Sequence, residues 1–205
     1  MKKIYLLITL LLLSVSCIAQ FNINNVVPAD IPLGIKVPGN ITKTVKWKDS
    51  LGNNLVIVAE TGVIVDNNDL KSASLHAYHY IIKNDSVQLL WKVYDFIDSC
   101  DVDIKVEFVN NTFAVTDLNH NGIAEVWLMY KVSCQGDVSP IPMKIIMYEG
   151  IQKFAARGGT IAKVSLSRYD GGDYIFDDAF KNGPDAFRQY ANALWQKHKM
   201  EQWGE

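Results

Sequence analysis

The sequence predicts an α+β fold that is mainly β, with an antiparallel sheet of about eight to ten strands and one C-terminal amphipathic helix. Three observations lead to this prediction. From residue 41 onward, short segments rich in Val, Ile, Tyr and Trp alternate with clusters of Gly, Asn and Asp, which is the pattern of strands and turns. Apolar and charged residues alternate strictly over 102–108, as in a strand with one buried face. Near the C-terminus the apolar spacing becomes that of a helix.

The segments with the strand pattern are short and bounded by turn residues. One of them, 126–130, is apolar on both faces, so we expect a central strand that is covered on both sides. The predicted strands are 43–48, 54–60, 74–82, 87–96, 102–108, 112–116, 125–133 and 143–148, with two shorter ones at 153–156 and 162–167.

A helix near the C-terminus offers the cover for that central strand. Its apolar residues fall at i, i+3, i+4, i+7 and i+8, which is one stripe of an amphipathic helix. Pro184 suits the first turn, and Lys197 and Lys199 lie near the negative end of the helix. The stripe consists of Phe187, Tyr190, Ala191, Leu194 and Trp195.

The first nineteen residues have the three parts of a cleavable secretory signal. Lys2 and Lys3 provide the positive start, residues 4–13 are apolar apart from Thr9, and small residues follow up to Ala19. The apolar run is about ten residues, whereas a membrane-spanning helix needs roughly 20. We therefore expect an exported protein, periplasmic or at the cell surface, with no transmembrane span once the signal is removed.

Two processing routes remain open. Cleavage after Ala19 would leave Gln20 as the N-terminus, whereas lipoprotein processing would keep Cys17 as a lipidated first residue. A bacterial lipobox usually has Leu three residues before the cysteine, and this chain has Ser14 there, which favours the first route. The predicted organisation is a signal peptide (1–19), a proline-containing extended leader (20–40) and a single β-rich domain that includes the helix (41–205).

The charge balance argues against one class of partner. The full chain has a formal net charge of −2. Loss of Lys2 and Lys3 with the signal lowers Lys+Arg from 20 to 18 against 22 acidic residues, a charge of −4. We therefore expect no nucleic acid and no electrostatic binding to anionic lipid.

Cys100 and Cys134 are the two cysteines outside the predicted signal. An even pair in an exported chain usually forms a disulfide, and the chain-entropy treatment assigns such a loop about 4 kcal/mol. Two reduced, buried cysteines are the first alternative. A metal site is less favoured, because no CxxC motif or nearby pair of histidines accompanies them.

The segment that begins at Asp117 carries the most specific motif in the chain. Asp117, Asn119, Asn121 and Glu125 place side-chain oxygens at positions 1, 3, 5 and 9, with Gly122 at position 6. Calcium takes about six to eight oxygen ligands, and alternate residues of a tight loop can aim theirs inward. These four oxygen-bearing residues are therefore the candidate metal ligands.

The flanks of this loop decide which calcium motif it is similar to. An EF-hand has its closing Glu at position 12 and helices on both sides, whereas this chain has Leu128 at position 12 and predicted strands on both sides of the loop. The loop instead resembles the DxDxDGxxE loops of FG-GAP and related β-repeat proteins, which implies a structural ion that ties two strands together. A hairpin turn without metal is the alternative, since Asn121-Gly122 between apolar strands is a strong hairpin signal.

Histidine and aromatic side chains are weaker candidates. His76 and His79 are three apart in a predicted strand, so they point to opposite faces and suit packing or surface positions better than a metal. Tryptophans and tyrosines could stack on sugar rings, but most of them lie on predicted core positions, which favours packing. The tryptophans are Trp47, Trp91, Trp127, Trp195 and Trp203.

Clusters of charge are the remaining candidates. Acidic residues gather around Cys100 and over 170–178. A paired-carboxylate glycosidase is defined by the distance in space between its two carboxyl groups, which the sequence does not give. Solvated acidic loops are the simpler interpretation of these clusters. Arg157 stands before Gly158 and Gly159 and could present a cation to an anion.

The run from Phe113 to Thr160 resembles a family of exported envelope proteins of the Bacteroidetes type, named for surface polysaccharide biosynthesis. The resemblance implies a link to cell-surface polysaccharide and carries over no catalytic residue. The residues that carry it are 115–126 (VTDLNHNGIAEV), 130–134 (YKVSC), 137–140 (DVSP), 144–150 (KIIMYEG) and 153–158 (KFAARG).

The leading functional hypothesis is an exported, non-catalytic envelope protein that supports the assembly or binding of surface polysaccharide, stabilised by a disulfide and by calcium. Its partners would be polysaccharide or other envelope proteins. A secreted carbohydrate-active hydrolase and an adhesion or interaction module are the alternatives. A deep pocket with two facing carboxylates would favour the enzyme, and a shallow aromatic or polar face would favour binding.

Overall fold

Two six-stranded sheets make up most of the computed structural model, which describes residues 21–27, 30–84 and 86–201. The first sheet contains β1 (Asn24–Asn25), β2 (Asn40–Asp49), β3 (Gly52–Glu60), β4 (Ile64–Val65), β5 (Lys71–Lys83) and β6 (Ser86–Cys100). The second contains β7 (Ile104–Phe108), β8 (Ala114–Thr116), β9 (Glu125–Cys134), β10 (Pro142–Glu149) and β11 (Gln152–Gly159). A hairpin of β12 (Ile161–Lys163) and β13 (Tyr169–Gly171) follows, then β14 (Tyr174–Phe176), which rejoins the second sheet, and the helices α1 (Asp178–Asn182) and α2 (Asp185–His198).

This architecture confirms the predicted fold class, because the chain is mainly antiparallel β with a C-terminal helix. The strands are divided between two sheets, and β4, β13, β14 and α1 were not anticipated. The leader predicted as extended contributes β1, which pairs with β2. The strand predicted at 162–167 forms as Ile161–Lys163 and stops there, because Val164 and Ser165 donate their N–H groups to the Arg168 carbonyl and close a turn.

The strand order places β6 at one edge of the first sheet. That sheet runs β1-β2-β3-β5, with β4 continuing the line of β3 along one side of β5 and β6 on its other side. The second sheet runs β14-β11-β10-β9, with β7 and β8 sharing the far side of β9. All of these pairs are antiparallel.

The main core lies between the two sheets. Every second residue of the facing strands points into it, as the two-residue period of a strand requires. The ring of Trp91 in the first sheet lies on that of Tyr148 in the second, with centroids 4.5 Å apart. The buried residues of this core include Val45, Trp47, Val56, Val58, Leu75, Ala77, Val93, Val126, Leu128 and Ile146.

The outer face of the second sheet is covered by helix α2, which buries Phe187, Ala191 and Trp195. The Trp127 ring on β9 lies 4.6 Å from that of Tyr190. Since Val126 and Leu128 face the other sheet, strand β9 is covered on both sides, and that prediction is confirmed.

Cys100 and Cys134 link the two sheets at one end of the molecule. Cys100 ends β6 and Cys134 ends β9. Their sulfur atoms are 2.06 Å apart, at disulfide distance, with the Cα atoms 5.8 Å apart. The bond joins β6, an edge strand of the first sheet, to β9, an inner strand of the second.

No helix in the described ranges has the length and apolar character needed to cross a membrane. The predicted signal peptide, its cleavage site at Ala19 and the alternative lipidation site Cys17 lie outside the described residues, as does Trp203.

Candidate functional site

The predicted metal loop connects β8 to β9. Thr116 lies opposite Glu125 in the strand register, so the segment is a hairpin loop, longer than a two-residue Asn-Gly turn. Gly122 has a φ of 78°, and a Cβ there would lie 2.7 Å from Ser50 Oγ. The Ser50 N–H donates to the Gly122 carbonyl. Glycine is therefore required both by the turn and by close contact with the β2–β3 connection.

Hydrogen bonds within the loop use most of the predicted ligand atoms. Asp117 accepts the N–H groups of Asn121 at 3.0 Å and Gly122 at 3.2 Å. The side-chain amides of Asn119 and Asn121 both donate to Glu149 Oε1, at 2.6 and 2.7 Å. Glu149 was missed in the sequence because it ends another strand, β10, and faces Glu125 through the β9–β10 register.

Glu125 is fully buried at the base of the loop. Its carboxylate accepts the Thr116 hydroxyl at 2.6 Å and the Leu118 N–H at 2.9 Å. Burial raises the pKa of Glu125, the two hydrogen bonds oppose this, and the carboxylates of Glu149 and Asp117 raise the pKa further. The loop thus gathers three carboxyl groups whose mutual repulsion a cation would relieve.

The ligand geometry for a cation is incomplete in this arrangement. Asn119 and Asn121 face Glu149 through their amide nitrogens, and a half-turn of each amide would be needed to present oxygen there. Among the His, Cys, Asp and Glu side chains of the described part of the chain, the one group of three whose ligand atoms lie within 4.8 Å of one another is Asp101 with the disulfide-bonded Cys100 and Cys134. The geometry is that of a hydrogen-bonded hairpin loop, and calcium binding stays a prediction.

A second candidate site lies on the outer face of the first sheet. Leu75, Ala77 and Val93 point into the core, so the residues between them on β5 and β6 point outward. Five of these outward residues carry rings, which we call the aromatic row. Along the face it consists of Tyr80, Tyr78, His76, Tyr94 and Phe96.

Neighbouring rings of the aromatic row are close and nearly parallel. On β5, His76 and Tyr78 have centroids 6.1 Å apart and planes within 4°, and Tyr78 and Tyr80 are 6.2 Å apart at 19°. The row then crosses to β6, where His76 and Tyr94 are 5.0 Å apart at 24°. Tyr94 and Phe96 continue it at 5.1 Å and 14°. Five rings therefore form a continuous strip across two strands.

The strip is open to solvent at its β6 end, where Tyr94 is 54% and Phe96 49% exposed. At its centre His76 is held by the Ser74 hydroxyl at 2.9 Å and the Tyr78 hydroxyl at 3.3 Å. Burial lowers the pKa of His76 and raises that of Tyr78. His76 and Tyr78 are therefore uncharged at neutral pH.

Polar side chains border the exposed end. A shallow cavity of about 230 Å³ lies beside Tyr94 and Phe96. Its polar walls include Ser72 and Asp98, which are hydrogen-bonded to each other at 2.8 Å. Apolar rings and hydrogen-bonding groups therefore lie side by side on this face.

The other aromatic and histidine predictions are resolved by burial. Trp47, Trp91, Trp127 and Trp195 are all buried, which confirms that they pack in the core. His76 and His79 point to opposite faces, as predicted: His79 lies inward, between the rings of Trp47 and Trp91. The sequence did not identify the tyrosines of the aromatic row as site residues. Alternation of residues along a strand does not show which of its two faces stays uncovered in the fold.

Carboxylates elsewhere have structural partners. A cavity of about 380 Å³ contains Glu60 and Glu107. Glu60 accepts the Phe108 N–H at 2.6 Å, and Glu107 lies 3.8 Å from the Lys105 ammonium. In the predicted acidic clusters, Asp177 caps helix α1. The others with contacts are Asp98 with Ser72, Asp103 with Lys71, Asp170 with Arg168 and Asp178 with Lys181.

Comparison of the chain with protein-family models, curated proteins and solved structures finds no match. The resemblance to polysaccharide-linked envelope proteins stays a prediction. The geometry of the sites is what the functional conclusion rests on.

Proposed function

We propose that this chain is an exported, non-catalytic protein of the cell envelope that binds a polysaccharide through the aromatic row. The observation that carries the proposal is the strip of five near-parallel rings, which is open to solvent at its β6 end. A sugar ring presents C–H groups that pack on an aromatic face, while its hydroxyls need hydrogen-bond partners. A row of several rings matches a chain of sugars better than one small molecule.

The shape of the site favours binding over hydrolysis. The exposed rings border a shallow cavity, whereas a glycosidase needs two carboxyl groups on opposite sides of one glycosidic bond. Asp98 is the carboxylate that lines this cavity, and it is engaged by Ser72. These observations support a binding surface.

The electrostatics of the chain support a glycan rather than a nucleic acid. His76 and Tyr78 are uncharged at neutral pH, and the chain has a net charge of −2. A nucleic-acid site would combine stacking with a positive groove for the backbone. Export is supported by the N-terminal sequence pattern and by two cysteines at disulfide distance.

Calcium at the Asp117 loop would be structural in this account. Asp117, Glu125 and Glu149 would supply negative charge, with Asn119 and Asn121 as amide ligands. The buried carboxylate of Glu125 and its repulsion by Glu149 and Asp117 support the proposal. The ion would fasten the β8–β9 loop to the end of β10, where Glu149 lies.

The binding proposal is tested with Tyr94→Ala and Phe96→Ala, singly and together. The probes are soluble dextran, mannan, xylan and polygalacturonate, with affinity measured by gel retardation and calorimetry. We expect wild type to bind at least one polymer and each substitution to weaken binding roughly tenfold, from the loss of about 1–2 kcal/mol of stacking. Tyr169→Ala is a matched control, because Tyr169 is also 54% exposed but lies on β13.

Two results would contradict the proposal. One is the absence of binding to every polymer by the wild-type protein. The other is an equal loss of affinity in the Tyr169 control. Release of reducing ends from a bound polymer would instead support the hydrolase alternative. Thermal melting of each variant shows that the fold is intact, which we expect because both target rings are half exposed.

A further inference from the structure

Three cations lie together on the inner face of the second sheet, beside the edge strand β6. Lys144 on β10 stands directly opposite Arg157 on β11. Lys153 lies on the same face of β11, since Ala155 between them points into the core. We call Lys144, Lys153 and Arg157 the basic cluster.

The fold neutralises this cluster incompletely. Like charges directly opposite each other destabilise a pair of strands. Asp95 from β6 contacts the Lys144 ammonium at 2.5 Å. Neither Lys153 nor Arg157 has a carboxylate within 4.0 Å among residues 21–27, 30–84 and 86–201. Two exposed cations are thus left beside a half-buried ion pair.

The charged groups around Lys153 do not neutralise the two exposed cations. Burial lowers the pKa of Lys153, and the charges of Arg157 and Lys144 lower it further, whereas Asp177 and Asp95 oppose that shift. Asp177 is already committed to the Phe180 N–H at the start of helix α1, at 2.9 Å. An additional anion would therefore be favoured at this place.

We propose that the basic cluster binds an oxyanion, the carboxylate or sulfate group of an acidic polysaccharide. The planar guanidinium of Arg157 can donate two parallel hydrogen bonds to such a group, and Lys153 adds a second charge. Binding of the oxyanion stands on the cluster alone, whereas its assignment to a polysaccharide rests on the proposed function.

The position of β6 connects the two sites. Tyr94 and Phe96 point outward from this strand, and Asp95 between them points inward to Lys144. A polymer that crosses the edge of the first sheet at β6 would contact the aromatic row on one side and the basic cluster on the other. The aromatic row would hold sugar rings, and the basic cluster would select acidic ones.

Inorganic sulfate tests the oxyanion site without any polymer. In titrations followed by NMR, we expect saturable shifts of the Arg157 Hε and neighbouring β10–β11 amide signals. The double variant Lys153→Ala/Arg157→Ala should abolish the saturable amide shifts. The control Lys163→Ala/Arg168→Ala removes the same charge from exposed residues of the β12–β13 hairpin and should leave them unchanged. Absence of saturable shifts in wild type, or their loss in the control, would overturn the site.

Polymers then test the assignment to a polysaccharide. We expect wild type to bind polygalacturonate or dextran sulfate at least about tenfold more tightly than dextran, since charge-assisted hydrogen bonds are strong. The cluster variant should lose this preference and keep its affinity for dextran. Equal affinity for charged and neutral polymers would refute the assignment even if sulfate binds. If no polymer binds but sulfate does, the proposed function fails and the oxyanion site stands.

Discussion

The ring of Tyr94 lies on that of His76 across strands β5 and β6, with centroids 5.0 Å apart and planes 24° apart. Tyr94 is half exposed and His76 is buried. The pair joins the exposed end of the aromatic row to its covered part. Because His76 is also bonded to the Ser74 and Tyr78 hydroxyls, the rings on both strands have fixed neighbours. A preorganised surface of this kind loses little conformational entropy when a ligand binds.

Removal of the Cys100–Cys134 link should destabilise the protein strongly. The bond closes a loop with a sequence separation of 34, for which the chain-entropy model gives about 4 kcal/mol. We expect the double variant Cys100→Ala/Cys134→Ala to lose most of this in chemical denaturation. Peptide mapping of the unreduced wild type should recover the two cysteines in one cross-linked peptide pair. Free thiols there, or an unchanged unfolding midpoint in the variant, would show that the link does not form.

The buried carboxylate of Glu201 should hold the end of the described chain in place. It contacts the ammonium groups of Lys105 at 2.5 Å and Lys131 at 2.6 Å, with its side chain 1% exposed. Glu201→Gln would leave Lys131 buried without its partner, at a cost of about 3 kcal/mol in urea unfolding. Asp103→Asn is the control, because its ion pair with Lys71 is exposed and should contribute little. Equal effects of the two substitutions would contradict this role.

Stability should fall below neutral pH because of His79. Burial between tryptophans lowers its pKa from 6.5 to about 4, with Asp49 opposing the shift. The unfolded chain therefore takes up a proton at higher pH than the folded one. The contribution of neutral His79 to the free energy of unfolding is fully present above pH 6.5 and is lost as the pH falls to about 4. The loss amounts to about 3 kcal/mol.

Urea unfolding of wild type and His79→Gln between pH 7 and pH 4 measures this contribution. His79 Nε2 lies 2.8 Å from the side-chain oxygen of Asn54. The side-chain amide of glutamine can also donate a hydrogen bond to that oxygen, but it does not take up a proton over this pH range. We expect a shallower fall in stability with decreasing pH in the variant. Identical slopes for wild type and His79→Gln would assign the pH dependence to other groups.

Calcium should raise the melting temperature if the Asp117 loop binds it, because a ligand of the folded state stabilises that state. Asp117→Asn should remove the effect, and Asp173→Asn, at an exposed carboxylate, should retain it. The shift should shrink in acid, because the pKa of Glu125 is raised and protons compete with the ion. No change at millimolar calcium in wild type would reduce the loop to a hairpin connection.

Periodicity in the sequence was sufficient to predict the longer strands, the final helix and the doubly covered β9. It could not divide the strands between two sheets, since that depends on which apolar faces meet. Short strands such as β4 and β14 lack enough residues to show a period. At the Asp117 loop, the motif identified four of the converging residues, but Glu149 came from a strand pairing that local sequence does not encode.

The aromatic row shows the same limit more sharply. Tyr78 and Tyr80 alternate with Ala77 and His79 on β5, so the pattern places them on one face without showing that this face is open. Tyr94 joins them only through the β5–β6 register. That register contains a bulge near His79 and Tyr80, which shifts the partners by one residue. The pairing of β5 with β6 therefore determines which rings come together in the aromatic row.

The aromatic ring signals themselves give the most direct test of glycan binding. In NMR titrations with a polymer that wild type binds, we predict saturable shifts of the Tyr78, Tyr80, Tyr94 and Phe96 ring protons. The Tyr169 ring on β13 should not shift. Saturation of binding with the Tyr94 and Phe96 rings unperturbed would contradict the assignment of the aromatic row as the polysaccharide surface.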